Sequence, residues 1–556
     1  MSKLHAVTSA FSLPVTNRIT SIRTNQSQLR EIDAKYAGDD EHLLAEIGYK
    51  QELKRTFSTF QIFGIAYSIM GLLPSISSTA YTGYTSGPGG YLWSWGISSV
   101  FIFILGVSMS ELASAIPTSG GLYFWTYHYA PPKIRVPLSY LIGMSNSMAL
   151  CSALVSVAYG NANEIVAAVF LQKDGDFSMS TAKLYGVFAA CVLSQTACTC
   201  LSSKNVAMLQ TISAVANTGL IVLFLIALPI GTAKNGSFNS GKFIFAQVEK
   251  HSDWPKGWEF ILSMLSCTWT IGAFDSVVHM SEEIDNASNG APIGILGSIS
   301  FCGVVGFFIV LCSNACMNSN VQAVLDSPTD FPMAQIIEDS LGRKWAIAMM
   351  ALMAVCQWLM GSSILTALSR QVWAFARDDG LPFSSVVKVV DKRLKVPIRA
   401  VIFACVISLL LGCLTFAGSA AANALFTLSC SGNYFAWCTP IFLRLTSGRS
   451  RFRPGSFYLG DTWSPIIGWT TCLWGAFVIV MCMFPSTKAV DKTDMNYTVV
   501  ITCGVWILSI VYFYVYKFKY FNGPKSNLDQ TDLIDGEMTE VPIDEIVAEK
   551  KEDESL

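Results

Sequence analysis

Apolar positions run on without alternation along most of the chain, and polar ones gather in clusters between long apolar stretches. Ile97–Val107 holds no charged residue, and neither does Val215–Thr232. Runs of this kind lack the roughly ten-residue alternation of a membrane barrel strand and exceed the roughly 4–8 residues of a buried strand. A helix rising about 1.5 Å per residue needs roughly 20 mostly apolar residues to cross the hydrocarbon of a bilayer. Twelve segments meet that length, at about 59–83, 92–115, 137–166, 184–203, 207–231, 259–282, 293–316, 345–372, 398–418, 421–445, 464–484 and 497–519. The pattern predicts an all-α polytopic membrane protein with twelve transmembrane helices in a lipid bilayer.

Composition agrees. Of the 556 residues 52% are hydrophobic and only 14% charged, where a soluble chain carries about 25% charged residues. A net charge of −2 argues against a nucleic-acid partner. The 16 cysteines are scattered through apolar segments, as at Cys151, Cys267 and Cys405, without the spacing of a zinc site or redox pair. No nucleophile–base pair or phosphate loop is evident either, so neither an enzyme nor a bound cofactor or metal is expected. The first 55 residues are polar and hold no short apolar core followed by a cleavage site, so a removable signal peptide is not expected.

With twelve spans and both termini on one side, 27 of the 37 Lys and Arg residues fall on the side of the termini. They include Lys133 and Arg135, Lys388 to Lys395, and Arg449 to Arg453. This bias predicts cytoplasmic termini. It leaves the plasma membrane and the vacuolar membrane equally open. Residues 1–55 and the acidic 520–556 read as cytoplasmic tails. The largest outer loop, about 232–258, contains the sequon Asn235-Gly236-Ser237, an N-glycosylation acceptor if that loop is lumenal or extracellular.

Two spans differ from the rest. The first places Gly71 and Pro74 in mid-span, and the sixth reads Trp269-Thr270-Ile271-Gly272-Ala273-Phe274-Asp275. Gly and Pro each weaken a helix, by about 1 and 3 kcal/mol relative to Ala, and an intramembrane carboxylate is a functional candidate. Interrupted helices five spans apart point to an inverted-repeat transporter; packing glycines are the structural alternative.

Three further stretches bear on that choice: Glu111–Trp125 (ELASAIPTSGGLYFW), Ser369–Pro382 (SRQVWAFARDDGLP), and Ser281–Glu283 followed by Ala291-Pro292-Ile293. Their order and content resemble the signatures of the amino acid–polyamine–organocation transporter superfamily over roughly residues 45–525. Leu43–Arg55, Phe63–Ser75, Leu445–Arg449 and Arg453–Gly460 are similar to the fungal 4-aminobutyrate permeases within it. The resemblance implies a LeuT-like fold of two inverted five-helix repeats, about 56–231 and 258–445, with extra helices at about 464–519. It also implies a proton symporter of 4-aminobutyrate, with polyamines as further substrates. Ala158–Glu164 (AYGNANE) departs from those permeases, whose run is more acidic and better suited to a second ammonium. A carrier of another amino acid, a polyamine or a choline-like amine remains open, as does a non-transporting amine receptor.

A zwitterion halfway across a bilayer needs donors at one end and acceptors at the other. Ser68, Ile69, Met70 and Gly71 are expected where the second half of helix one presents unpaired N–H groups and a positive dipole to a carboxylate. The carbonyls of Thr270 to Ala273, with Asp275 behind them, are expected to meet the ammonium. Trp269 and Phe274 would close over the substrate, and Gln357 and Asn433 would line the cavity. Asp275, His279, Glu282 and Asn286 recur at helical spacing, a face suited to proton coupling or to packing against the loop after helix two. Glu111 would join them in coupling or gating.

Overall fold

The computed structural model describes residues 52–525, apart from 54, 56, 285, 330, 418 and 489–494. The remainder of both tails and most of the Leu43–Arg55 motif lie outside the described residues. The described part is helical, with one isolated bridge between Phe57 and Ile284. In chain order its helices are α1 (Thr59–Met70), α2 (Leu72–Tyr84), α3 (Gly87–Ala115), α4 (Gly121–Tyr129), α5 (Arg135–Gln172), α6 (Thr181–Thr199) and α7 (Ser203–Asn235). There follow α8 (Gly241–Ala246), α9 (Lys256–Thr270), α10 (Ser276–His279), α11 (Ala287–Cys316), α12 (Val321–Leu325) and α13 (Pro332–Leu341). The last are α14 (Arg343–Arg377), α15 (Ser384–Val387), α16 (Ile398–Gly412), α17 (Ser419–Leu445), α18 (Gly460–Cys482) and α19 (Thr498–Val515).

Each of the twelve apolar segments coincides with helix, and nine spans among the described residues are long and apolar enough to cross a membrane. Segments 184–203, 259–282 and 421–445, which form α6, α9 and α17, are outside those nine. The sixth segment is not one continuous helix. After 15 residues α9 stops at Thr270, because Ala273 adopts φ +55° and turns the chain before α10. Between the second and third segments the sequence pattern predicts a loop, yet Gly121–Tyr129 forms the buried helix α4.

Local chemistry sets the critical ends. At the start of α1, Ser58 and Gln61 form a capping box: the Ser58 hydroxyl accepts from the Gln61 amide, and the Gln61 side chain accepts from the Ser58 amide at 3.0 Å. This satisfies two of the helix's unpaired donors. The preceding strand-like residue Phe57 donates its amide to Glu283 O at 3.1 Å, and Arg55 Nη1 donates to Ile284 O at 2.5 Å. The approach to the first broken helix is thereby tied to the exit from the second.

The long helix α5 lies against both α14 and α17, and α3 pairs with α11. The second pair approaches closely because Gly306 leaves room for an indole: a Cβ there would sit 2.1 Å from Trp95. The Trp95 Nε1 group donates to Gly303 O at 3.0 Å in the same contact. Small residues at such crossings suit a bilayer, where packing replaces the hydrophobic drive.

Candidate functional site

The first helix is interrupted at Gly71, which takes φ 42° and ψ 58° and serves both as the end of α1 and the start of α2. Only glycine enters this left-handed region freely. The Ser75 hydroxyl donates to Met70 O at 2.7 Å, meeting a carbonyl left by the interruption. At the start of α2 the amides of Leu72 and Leu73 have no partner four residues earlier within their own helix, and Pro74 has no amide hydrogen.

The second interruption faces it. A Cβ at Gly272 would lie 2.9 Å from Trp269 O, so the tight turn after α9 needs glycine there. The end of α9 presents carbonyl oxygens, the negative end of a helix dipole.

Between these interruptions lies a cavity lined by α1, α5, the end of α9, α14 and α17. Ile69, Trp269, Thr270, Gly272, Ala273 and Asn433 all line it. Sequence reasoning missed the rest of the wall, notably Val157, Met360, Tyr434 and Trp437. No charged side chain faces into it, and the buried Thr270 hydroxyl is without a hydrogen-bond partner.

The other candidates lie outside the lining. Ser68 donates to Gln210 O on α7 at 3.3 Å. Met70 and Ile271 are buried in the core, and Phe274 packs behind the wall on Trp437, its ring tilted by 36° at 4.5 Å between centroids. Gly71 packs under Met360, whose Sδ would lie 2.6 Å from an added Cβ. Gln357 donates to Ser78 Oγ and to Val157 O, each at 3.4 Å.

Asp275 sits one layer back, fully buried at the head of α10. Its Oδ2 accepts from Asn146 Nδ2 at 2.9 Å, and the same amide reaches Asn433 Oδ1 at 3.2 Å. His279 Nε2 lies 3.4 Å from Asp275 Oδ2, and its Nδ1 meets Ser119 O at 3.3 Å. Ser119 in turn donates its amide to Glu282 Oε1 at 3.2 Å. A continuous polar file therefore leads from the cavity wall to one end of the bundle. Asn286 departs from the expected face: it has φ 53° and caps α11.

That end is closed by buried ion pairs. Arg377 holds Glu282 through two bonds, at 3.1 and 3.2 Å, and stacks over Trp373 at 4.6 Å. Arg370 pairs with Glu283 at 2.8 Å. Glu111 accepts from Arg444 at 2.9 Å and from the Leu459 amide at 3.1 Å. Bidentate, charge-assisted geometry of this kind is among the strongest polar contacts available. At the opposite end Asn235 is exposed, and its side-chain amide donates to Ser340 O at 3.0 Å.

Two interrupted helices bracketing an uncharged cavity, with a buried carboxylate behind it, define a membrane permease. Residues 57–506 match the model of the amino acid permease family. The chain belongs to this family, within the amino acid–polyamine–organocation superfamily. It is 51% identical over 96% of its length, and 94% of the relative's, to the GABA-specific permease of Saccharomyces cerevisiae. It is 32% identical to an uncharacterized amino-acid permease of Schizosaccharomyces pombe, over 95% of this chain and 96% of the other. A putative polyamine transporter of Candida albicans is 29% identical over the same shares. These relatives are fungal permeases and not enzymes.

Proposed function

We propose that this chain is a secondary active transporter that carries 4-aminobutyrate and related small amines together with protons. The observation that carries the reading is the uncharged cavity beside the two helix interruptions, lined by Ile69 at the end of α1 and by Thr270, Gly272 and Ala273 at and after the end of α9. The relative that is 51% identical and GABA-specific supports the choice of substrate.

In this reading the substrate carboxylate meets the Leu72 and Leu73 amides and the positive end of the α2 dipole. Met360 occupies that approach in the closed structure and swings aside, as a flexible thioether side chain can. The ammonium meets the carbonyls at the end of α9 and the Thr270 hydroxyl. Asp275 acts through Asn146 and Asn433 without touching the substrate, and so makes the ammonium side of the cavity electronegative. His279 and Ser119 pass changes in that network to the Glu282–Arg377 pair, which serves as the gate.

The twelve helical segments each cross the bilayer, as two inverted five-helix repeats with two additional helices. The lysine and arginine bias supports cytoplasmic termini. The ion-paired end of the bundle then faces the cytosol, and the structure represents a state closed on that side. The membrane is the plasma or the vacuolar membrane.

The test is uptake of labelled 4-aminobutyrate into proteoliposomes holding the full chain, with and without an imposed pH gradient. Accumulation that needs the gradient supports the reading. Saturable binding with no accumulation would make the protein a receptor, and accumulation indifferent to pH would remove the proton.

A further inference from the structure

Glu164 stands apart from every other carboxylate in the spans. It lies on α5, is fully buried, and neither of its oxygens has a hydrogen-bond partner. Asp275, Glu111, Glu282 and Glu283 each face a donor or a cation. An unpaired charge in such surroundings is strongly disfavoured, so the side chain binds a cation or a proton.

The surroundings are short of donors. One helical turn away, the Asn161 amide donates to Cys191 Sγ on α6 at 3.5 Å and leaves its Oδ1 without a partner. Cys356 on α14 lies within electrostatic reach of Glu164. The adjacent Gln357 uses its amide on Ser78 of α2 and on Val157 O, leaving its own Oε1 unpartnered. On α16, Cys405 packs against the neighbouring face of α5 with Ala158 and Ala162. The titratable groups on the elements packed around this stretch are thiols and phenols: Cys191, Cys356 and Cys405, with Tyr159 on α5 and Tyr185 on α6 against the same cluster and Tyr67 on α1 near Cys356. No Lys, Arg or His among the described residues pairs with Glu164.

Position completes the argument. The cavity wall on α5 ends at Val157, seven residues before Glu164, or roughly 10 Å along the helix. Glu164 lies beyond the cavity, towards the end opposite the ion pairs. The cavity does not extend to it, so a proton fits where an ammonium does not. Gln357 joins Val157 in the cavity wall to Ser78 on the second half of the broken helix.

We propose that Glu164 takes up the transported proton, an assignment that rests on the proton-coupled reading above. As a neutral acid it is compatible with the closed packing of α2, α5 and α14. Once ionised it favours a conformation that exposes its carboxylate to water. A group whose proton affinity differs between two conformations couples proton binding to their interconversion. The proton enters from the side opposite the gate and travels with the amine.

The experiment compares wild-type, Glu164→Gln and Glu164→Asp full-length protein in proteoliposomes with the membrane potential clamped. Counterflow exchange of labelled 4-aminobutyrate at equal pH is measured beside accumulation under a one-unit pH gradient. One-to-one coupling sustains a gradient of about tenfold in substrate, because a pH unit is a tenfold proton gradient. Glu164→Gln is expected to keep exchange but to lose the tenfold accumulation, while Glu164→Asp keeps both with a shifted pH profile. Undiminished accumulation in Glu164→Gln overturns the proposal. So does loss of exchange in both variants, which marks a structural role. Selective loss of putrescine uptake with 4-aminobutyrate accumulation intact overturns it in favour of an ammonium site. A wild-type protein that exchanges but never accumulates overturns the proton-symport reading itself.

Discussion

Asn146 hands its side-chain amide to Asp275 at 2.9 Å, and this one contact joins the longest central helix to the second interruption. The same amide bridges to Asn433 in the cavity wall at 3.2 Å. Replacing it by leucine keeps the branching and the number of heavy side-chain atoms but leaves the buried carboxylate without this donor. Losing one partner of a buried polar group costs about 1–3 kcal/mol, and more where a charge is involved. Asn146→Leu is expected to raise the KM for 4-aminobutyrate at least about tenfold while the protein still reaches the membrane. Uptake kinetics at several substrate concentrations check this, and an unchanged KM would disconnect Asp275 from the cavity.

The helix interruptions were legible in the chain because Gly71 and Gly272 disfavour a regular span, and a cavity lies beside them. Six of the thirteen residues expected to contact substrate line it. The others show where periodicity stops informing. Ser68 and Gln357 sit at plausible helical positions, yet tertiary neighbours that no local pattern specifies draw their side chains to Gln210 and Ser78. Phe274 turns behind the wall because Ala273, at φ +55°, resets the direction of the chain. Helix α4 was hidden because its nine residues are too few to cross a bilayer. Asn146 was the missed signal: an amide flanked by Ser145 and Ser147 in an apolar span needs a partner.

Gly71 combines a left-handed backbone with a side-chain neighbour. Gly71→Ala should cost about 1–2 kcal/mol from the conformation alone, with a further contribution from the clash with Met360. Met360→Ala in the same chain removes the Sδ and Cγ clashes, leaving the Met360 Cβ at 3.1 Å and the backbone term. The expected order of unfolding temperatures in detergent is wild type, then the double variant, then Gly71→Ala. A single variant as stable as wild type would show that the interruption is not held at this residue.

The gate prediction concerns Glu282 and Arg377. Removing one partner of a buried pair leaves the other charge uncompensated, at about 3–5 kcal/mol. Glu282→Gln should therefore favour the state open at the ion-paired end, seen as faster alkylation of cysteines introduced along that side of the cavity. Arg377→Gln together with Glu282→Gln removes both charges and should restore much of the protection. Equal labelling in all three proteins would mean that the pair does not close this end.

A pH effect on stability should arise at His128, at the end of α4 and outside the candidate spans. Burial, and then the nearby Arg451 charge, lowers its pKa from 6.5 to about 4. Its neutral form is therefore favoured by folding. That contribution is complete above the unfolded value and is lost as pH falls towards the folded one, with the unfolded chain taking up the proton first. The lowering corresponds to about 3 kcal/mol. Thermal midpoints in detergent should fall between pH 6.5 and 4 more steeply for wild type than for His128→Leu. Parallel curves would mean that His128 is already charged in the folded protein.

Substrate length offers the most direct test of how the two interruptions divide the work. If the carboxylate is met at the start of α2 and the ammonium at the end of α9, the site recognises two charged ends and their separation. An ω-amino acid places its charges at opposite ends of a flexible chain. An α-amino acid places both on one carbon and cannot reach both helix ends at once. It also brings a side chain towards a wall built from Val157, Met360, Tyr434 and Trp437. Competition against labelled 4-aminobutyrate should therefore favour 5-aminovalerate over leucine or arginine, by at least about tenfold if one end of the α-amino acid is left unmatched. Glu164→Gln should leave this ranking unchanged, because that residue lies beyond the cavity wall. Leucine or arginine competing as well as 4-aminobutyrate would show a general amino-acid site, with both charges held at a single interruption.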